Sequence, residues 1–432
     1  MAKTYGTYKD SGSVWVGDIP SEWNIGNFRY FGEFTKGKLP STSNTEGIGL
    51  PIIGASEMLG KECRTFSEDA NVPQCSNDDI LILWDGANAG IISSHHKGIV
   101  SSTAVKYHCL NSDVDKNFLY YFLKSVEPNF KEKVNGTTIP HMNIKYINEI
   151  PLLMPPLSVQ QSISSFLDTK CGEIDSLISI QEEMISELLA YKQSVITEAV
   201  TKGLDKKAKM KNSGVEWIGD IPEEWKAVPI KHLKANVENA FVDGPFGSNL
   251  KSQHFIDNGD VYVIESGFVT SGKFIYKPFK EISLEHFETI KRSECKAGDI
   301  IIAKIGAKYG MGAELPKLNK PSVVSGNSLK ITLDNTKILN HIFVYLLITA
   351  KAEGGYRDLV QENAQPALSL GGLNNFKLPV PPLPVQQAIA TYLDEKTSQI
   401  DSLIALKQSK IESLKEYKKS IIYEYVTGKK RV

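Results

Sequence analysis

The sequence predicts an α+β protein in which two diverged globular domains are joined by two long helices. The helices are expected to form an antiparallel coiled coil with cyclic pseudo-twofold symmetry. Three observations carry this expectation: an internal repeat, two helical stretches with matching apolar seams, and strand-rich segments that agree only faintly with each other.

At 432 residues the chain exceeds one typical core of about 100–200 residues. Its 41% hydrophobic and 23% charged residues are those of a globular protein, which excludes disordered and fibrous classes. The formal charge of −1 gives no global nucleic-acid signature, so any phosphate-binding surface must be local. Five scattered cysteines, Cys63, Cys75, Cys109, Cys171 and Cys295, form no Cys-x-x-Cys pair and fit free thiols of a reducing cytoplasm. The start of the chain is polar, and no run approaches the roughly 18 apolar residues of a membrane span. A cytoplasmic protein without a membrane segment is expected.

The repeat sets the order of elements. Ser11-Gly12-Ser13-Val14-Trp15-Val16-Gly17-Asp18-Ile19-Pro20-Ser21-Glu22-Trp23 returns as Ser213-Gly214-Val215-Glu216-Trp217-Ile218-Gly219-Asp220-Ile221-Pro222-Glu223-Glu224-Trp225. Pro155-Pro156-Leu157-Ser158-Val159-Gln160-Gln161 returns as Pro381-Pro382-Leu383-Pro384-Val385-Gln386-Gln387, and Asp168 aligns with Asp394. Between these anchors only isolated positions match, such as Asp79 with Asp299, Gly86 with Gly306, Ser101 with Ser325 and Tyr121 with Tyr345. The expected divisions are a first domain with its linker at 1–150, a central helical region at 151–212, a second domain with its linker at 213–376, and a C-terminal helical region at 377–432. Joining residue 432 to residue 1 would recreate the central junction, so a cyclic arrangement with neighbouring ends is expected.

The first long helix is predicted over 158–202, with Ser158 and Gln161 as a capping box and Gly203 as its stop. Its seam is Ile174, Leu177, Ile178, Met184, Ile185, Leu188, Tyr191, Val195 and Ala199, at three- and four-residue steps. The second, over 384–427, tolerates Pro384 in its first turn. Its seam is Ile400, Leu403, Ile404, Ile411, Leu414, Tyr417, Ile421, Ile422 and Tyr425. Each helix of roughly 44 residues would span about 65 Å. Two matching seams are best buried against each other, forming a rigid spacer.

In the domains, β-branched runs at 50–54, 79–83 and 299–303 predict strands, and helices are expected near 117–124 and 341–350. Glycine-rich loops with basic and polar neighbours are the candidate nucleic-acid contacts. They comprise Lys36, Lys38 and Ser41 in 36–41 and Asn88 in 85–90. In the second domain they comprise Gly244, Phe246, Gly247, Ser248, Asn249 and Lys251 in 243–251, with Lys304, Lys308 and Tyr309 in 304–310. Glycine lets backbone approach phosphate, Lys neutralises it, and Ser or Asn bonds it or a base edge; an ordinary surface turn is the competing reading of any single loop.

Catalytic signatures are incomplete. Residues 32–38 have the spacing of a phosphate-binding loop, but Leu39 and Pro40 replace the hydroxyl and the helix that must come next. Neither Met154-Pro155-Pro156-Leu157 nor Val380-Pro381-Pro382-Leu383 has the amide or acid and the aromatic of an amino-methylating site. His95-His96 and His108-Cys109 lack a second pair at zinc spacing.

Two diverged domains, each preceded by Gly-Asp-Ile-Pro-x-x-Trp and followed by Pro-Pro-Leu-x-x-Gln-Gln and a long helix, resemble the specificity subunit of Type I restriction-modification systems. The resemblance covers nearly the whole chain. It implies that 28–150 and 228–376 are target-recognition domains, each reading half of a bipartite site in double-stranded DNA. It also implies that the helices set the spacing and dock two methyltransferase (M) subunits, with restriction (R) subunits where restriction occurs. On this reading the chain is not an enzyme and holds no metal or cofactor, while S-adenosylmethionine, and ATP with Mg for restriction, belong to the partners. The 243–251 loop is similar to a glycine-rich stretch of such domains, and the first domain has 36–41 instead. A coiled-coil scaffold presenting two protein-binding domains is the alternative, and a self-sufficient enzyme a weaker one.

Overall fold

The computed structural model describes residues 4–132, 141–143, 147, 150–245, 247–360 and 365–432. It divides into two compact units, one of Met1–Glu183 with Lys407–Val432 and the other of Met184–Leu406. Each unit therefore holds one globular domain together with part of both long helices.

The two domains share one topology despite their sequence divergence. In the first, a sheet in the order Gly32–Lys36, Ala104–Cys109, Ile80–Leu83, Ile92–Ser94 is antiparallel throughout. A second sheet runs Phe66–Ser67, Leu50–Ile53, Gly98–Val100, Gln74–Cys75, with its central pair parallel. The other domain repeats both. Phe241–Asp243, Ser328–Ile331, Ile300–Ala303 and Gly312–Glu314 form the antiparallel sheet. Lys280–Ile282, Val261–Ile264, Ser322–Val324 and Glu294–Cys295 form the sheet with the parallel pair. Ile80–Leu83 and Ile300–Ala303 are buried on both faces, which explains their unbroken apolar runs.

The repeated linker folds identically in both copies. Tyr8–Asp10 pairs with Asp18–Pro20, and Met210–Asn212 with Asp220–Pro222, in the same register. Gly12, Gly17, Gly214 and Gly219 all have φ between 64° and 72°, the left-handed region that glycine enters without strain. Trp23 and Trp225 come next, both buried. The following strand, Asn24–Gly26 or Lys226–Pro229, pairs with Leu152–Met154 or Lys377–Val380, so each domain is closed where it meets its linker and helix.

The four longest described helices are α1 (Lys116–Glu132), α2 (Leu157–Lys202), α3 (Asn340–Ala352) and α4 (Leu383–Val426). The start of α2 departs from the expected capping box. The Pro156 carbonyl already accepts the Val159 and Gln160 amides, so Ser158 lies inside the first turn rather than at the cap. The first glutamine of each motif is instead a buried clamp. Gln160 donates to the Asp113 and Pro155 carbonyls and accepts the Asp115 amide. Gln386 does the same with Lys337, Pro381 and Leu339. Tyr121 of α1 donates to Asp168 of α2 at 2.8 Å, and Tyr345 of α3 to Asp394 of α4 at 3.0 Å.

The two long helices meet within each unit, and in the first they run in opposite directions. In the first, Phe166 meets Tyr425 at 4.5 Å between ring centres and Asp175 pairs with Lys418 at 2.6 Å. In the second, Lys192 pairs with Asp401 at 2.5 Å. These two ion pairs join the same repeat positions with the helices exchanged.

Of the predicted seam, Ile174, Val195, Ala199, Ile400, Ile404, Ile411, Leu414, Ile421 and Ile422 are buried, and Ile178, Ile185, Leu188 and Tyr425 half-buried. Leu177 and Leu403, each 47% exposed, and Tyr191 and Tyr417, each 57%, are not in it; Met184 is exposed as well. Ile174 and Ile178 already fill the inward row, which turns Leu177 to the rim. Tyr191 and Tyr417 precede the lysines whose ammonium groups reach across to Asp401 and Asp175. Ile163, Leu167 and Cys171, absent from the predicted seam, are buried with α1 in one core.

The helix ends repeat too. A Cβ on Gly203 would lie 3.2 Å from the Trp225 ring, and one on Gly428 3.1 Å from the Trp23 ring and 2.4 Å from Pro20. Tyr8 donates to the Gly428 carbonyl at 3.1 Å, and the Arg431 guanidinium lies over the Tyr5 ring.

Candidate nucleic-acid interface

In the first domain, the loops after Gly32–Lys36 and Ile80–Leu83 converge at one end of the antiparallel sheet. Lys36 closes the first strand, and its ammonium lies 2.6 Å from the Asp85 carboxylate and 5.7 Å from the centre of the Trp84 ring. Gly37 comes next because nothing larger fits: a Cβ there would lie 2.1 Å from the Ser101 carbonyl oxygen. Asp85 also takes His141 Nδ1 at 2.7 Å. Burial alone would raise the Asp85 carboxyl, but Lys36 and His141 outweigh it and hold it below the ordinary range. Lys38 is exposed, its amide bonded to the Val100 carbonyl, and Asn88 is exposed on the neighbouring loop. Ser41 is drawn elsewhere, since its amide and hydroxyl both bond Asp69 at 2.8 Å.

The second domain builds the same end from different side chains. Gly244 takes the place of Gly37: a Cβ there would lie 1.9 Å from the Ser325 carbonyl oxygen. Its amide bonds Ser328 as that of Gly37 bonds Ala104, both at 3.0 Å. The 36–41 and 243–251 loops, which share no motif, therefore leave equivalent strands at the same point. Asp243 stands where the first domain has Lys36, and Lys304 and Arg292 lie 3.5 Å and 3.4 Å from its carboxylate. The charge at the strand exit is thus reversed between the domains.

Loops 84–90 and 304–310 share a backbone as well. Gly86, Gly90, Gly306 and Gly310 have φ between 82° and 97°, and the Gly90 and Gly310 amides bond Leu83 and Ala303 in the same way. Lys308 is exposed, while Lys351 lies over the Tyr309 ring. Gly247, Ser248, Asn249 and Lys251 are exposed, with the Ser248 hydroxyl bonded to Asn249 Oδ1 at 3.2 Å. Phe246 lies outside the described residues.

One contributor escapes a reading of the sequence. His141 in the first domain, and Pro366 and Ala367 in the second, bridge to the glycine loops at Asp85 and at Ile305 and Gly306. The faint repeat of Pro140-His141-Met142 as Pro366-Ala367-Leu368 is the available signal. His108 and His96, members of the two histidine-containing pairs without zinc spacing, bond Asp79 and Ser93 at 2.6 Å each.

Two domains of one topology, each tied to segments of both long helices and each showing the same glycine-built edge with different charges, define a duplicated recognition protein. Residues 20–189 and 246–416 match the family described as Type I restriction modification DNA specificity domain, and the chain belongs to that family. It is 30% identical over 421 residues to the Type I restriction enzyme MjaVIII specificity subunit of Methanocaldococcus jannaschii, covering 96% of this chain and 94% of that one. It is 22% identical over 379 residues to the EcoBI specificity subunit of Escherichia coli, covering 84% and 76%. A solved structure from work on complex assembly and conformational transition of the type I R-M system has the same fold. Its TM-score is 0.67 at 14% identity, covering 94% of this chain and 98% of that one. No described helix is long and apolar enough to cross a membrane.

Proposed function

We propose that this chain is the non-catalytic, DNA-reading subunit of a Type I restriction-modification complex, with each domain reading one half of a bipartite site. The observation that carries this is the equivalent loop edge of the two domains, glycine-built in both and bearing Lys36 and Asp85 in one, Asp243, Lys304 and Arg292 in the other. One backbone frame with different charged and polar groups is what two different half-sites require. Lys36, Lys38, Asn88, Ser248, Asn249, Lys251, Lys304 and Lys308 supply the contacts in this reading.

The long helices form an antiparallel coiled coil with cyclic pseudo-twofold symmetry, supported by the exchanged Asp–Lys pairs and the repeated glycine–tryptophan junctions. They set the number of unread base pairs. The exposed Leu177 and Tyr417 in one unit, and Leu403 and Tyr191 in the other, offer two equivalent surfaces, which suits two copies of one methyltransferase subunit. Those partners carry S-adenosylmethionine, and ATP with Mg where restriction subunits join, in the cytoplasm. With a formal charge of −1, much of the DNA affinity comes from the partners.

The test is co-expression with the cognate methyltransferase subunit and genome-wide mapping of methylated bases. A split motif with a fixed gap is expected. Exchanging 226–376 for another such domain should change one half-site only, and a whole-turn helix insertion should lengthen the gap alone. Change in both half-sites on domain exchange would refute independent reading. A stable complex without any methylation pattern would favour the protein-binding scaffold.

A further inference from the structure

The 243–251 loop is held from behind by two histidines that the repeat does not single out. They come from separate short elements, the turn Ser252–His254 and the helix Leu284–Thr289, yet their ring centres lie 4.0 Å apart, tilted by 34°. His254 Nδ1 accepts the Lys251 amide at 3.1 Å, while the Lys251 carbonyl accepts the His254 amide at 3.0 Å. This is one half of a capping box, with an imidazole as the acceptor, closed by an ordinary backbone bond in the other direction. His286 donates Nε2–H to the Asn249 carbonyl at 2.9 Å. The corresponding loop of the first domain is instead fastened by a carboxylate, Asp69 on Ser41.

We propose that His254 and His286 are positioning residues for the second domain's DNA reading: they fix the backbone at Lys251 and Asn249, and so aim the exposed side chains of 248–251. The proposal rests on this loop being a DNA contact. It requires a neutral His254, because Nδ1 accepts the Lys251 amide only while it carries no proton. Burial of the ring, then the neighbouring His286 and Lys251, push the His254 imidazole below its ordinary value. The neutral form is therefore favoured at neutral pH. The other charged groups of these elements are Glu285 and Glu288, the latter paired with Lys291 at 2.8 Å; Gln253 Nε2 lies 3.4 Å from His254 Nε2. Protonation would turn the acceptor into a donor facing a donor and set a cation against His286. It would also add positive charge near DNA, so selectivity should fall while overall affinity does not.

The experiment uses the complex reconstituted with its methyltransferase subunit and duplexes carrying single mismatches in either half-site. Acidification from neutrality to well below the ordinary imidazole value of about 6.5 should cut discrimination in the second half-site by about fivefold, the worth of one hydrogen bond. His254→Asn places an acceptor oxygen near the position of Nδ1 and cannot titrate, so its discrimination should match wild type at neutral pH and stay flat. His254→Phe should lose about fivefold at every pH. Hydrogen exchange at the Lys251 amide should quicken in acid in wild type and not in His254→Asn. Parallel acid loss in wild type and His254→Asn, undiminished discrimination by His254→Phe, or equal decline in both half-sites would overturn the positioning role. Absence of any second-half-site discrimination by wild type at neutral pH would refute the DNA reading itself, and this role with it.

Discussion

Replacing Gln160 with leucine removes one side chain that bonds three backbone groups, two of them in the 113–115 loop and one at Pro155. The wild-type amide accepts the Asp115 N–H at 2.8 Å and donates to the Asp113 and Pro155 carbonyls at 3.0 Å and 2.8 Å, and Gln160 is buried. Leucine fills much the same volume but forms none of these bonds. At about 1 kcal/mol each, with the partly buried Asp115 N–H left without its partner, the loss is about 3 kcal/mol. That is roughly a hundredfold in the local opening equilibrium. Gln161, the next residue of the same motif, is exposed, so Gln161→Leu should change little. The assay is amide hydrogen exchange across 113–119 and the first turns of α2, alongside urea unfolding of the full chain. Gln386→Leu should reproduce the effect in the second unit, at the Leu339 amide. If Gln160→Leu and Gln161→Leu were indistinguishable, or the Asp115 amide kept its protection, the clamp would not be what fastens helix to domain.

Gly244→Ala should destabilise the second domain by about 3 kcal/mol or more, because its Cβ would meet the Ser325 carbonyl at 1.9 Å; Gly247→Ala, with nothing within 4 Å, should be tolerated. Thermal unfolding of the two variants checks the contrast. Lys192→Asp and Asp401→Lys should each cost about 0.5–1 kcal/mol, in keeping with a partly exposed pair, and the double exchange should recover most of it in a double-mutant cycle. Burial would raise the Asp79 carboxyl, but the Ser76 amide, His108 and the Ser76 hydroxyl together hold it below its ordinary value. Its stabilising contribution is therefore complete above the unfolded carboxylate range and lost as pH falls through the folded value. Acid titration of unfolding should show a shallower decline in Asp79→Asn.

The duplication is legible in the sequence because its anchors do the same work in each copy. The glycine-turned hairpin, the buried tryptophan and the clamp glutamine have no freedom to drift, so their residues survive as motifs. The domains between them diverged in sequence but not in topology, because a strand buried on both faces needs only apolar character, as in Ile80–Leu83 and Ile300–Ala303. For the same reason the equivalence of 36–41 and 243–251 is invisible in the sequence: it resides in one glycine against a carbonyl. The predicted seam is too wide at Leu177, Tyr191, Leu403 and Tyr417, since three- and four-residue spacing alone does not separate an inward row from the rim beside it. His141 is signalled only by the faint repeat of its segment, while His254 and His286 leave no signal because their partners are backbone atoms, which no residue pattern marks.

The glycine–tryptophan contact is present both between neighbours in the sequence, at Gly203 and Trp225, and between partners from distant parts of the chain, at Gly428 and Trp23. Covalent continuity is therefore not what holds that junction. A circular permutant opened near 205–209, with residue 432 joined through a short linker to the first strand, should fold to the same contacts. The same junctions would then be reached from a different order of the segments, because side-chain packing and not sequence proximity specifies them.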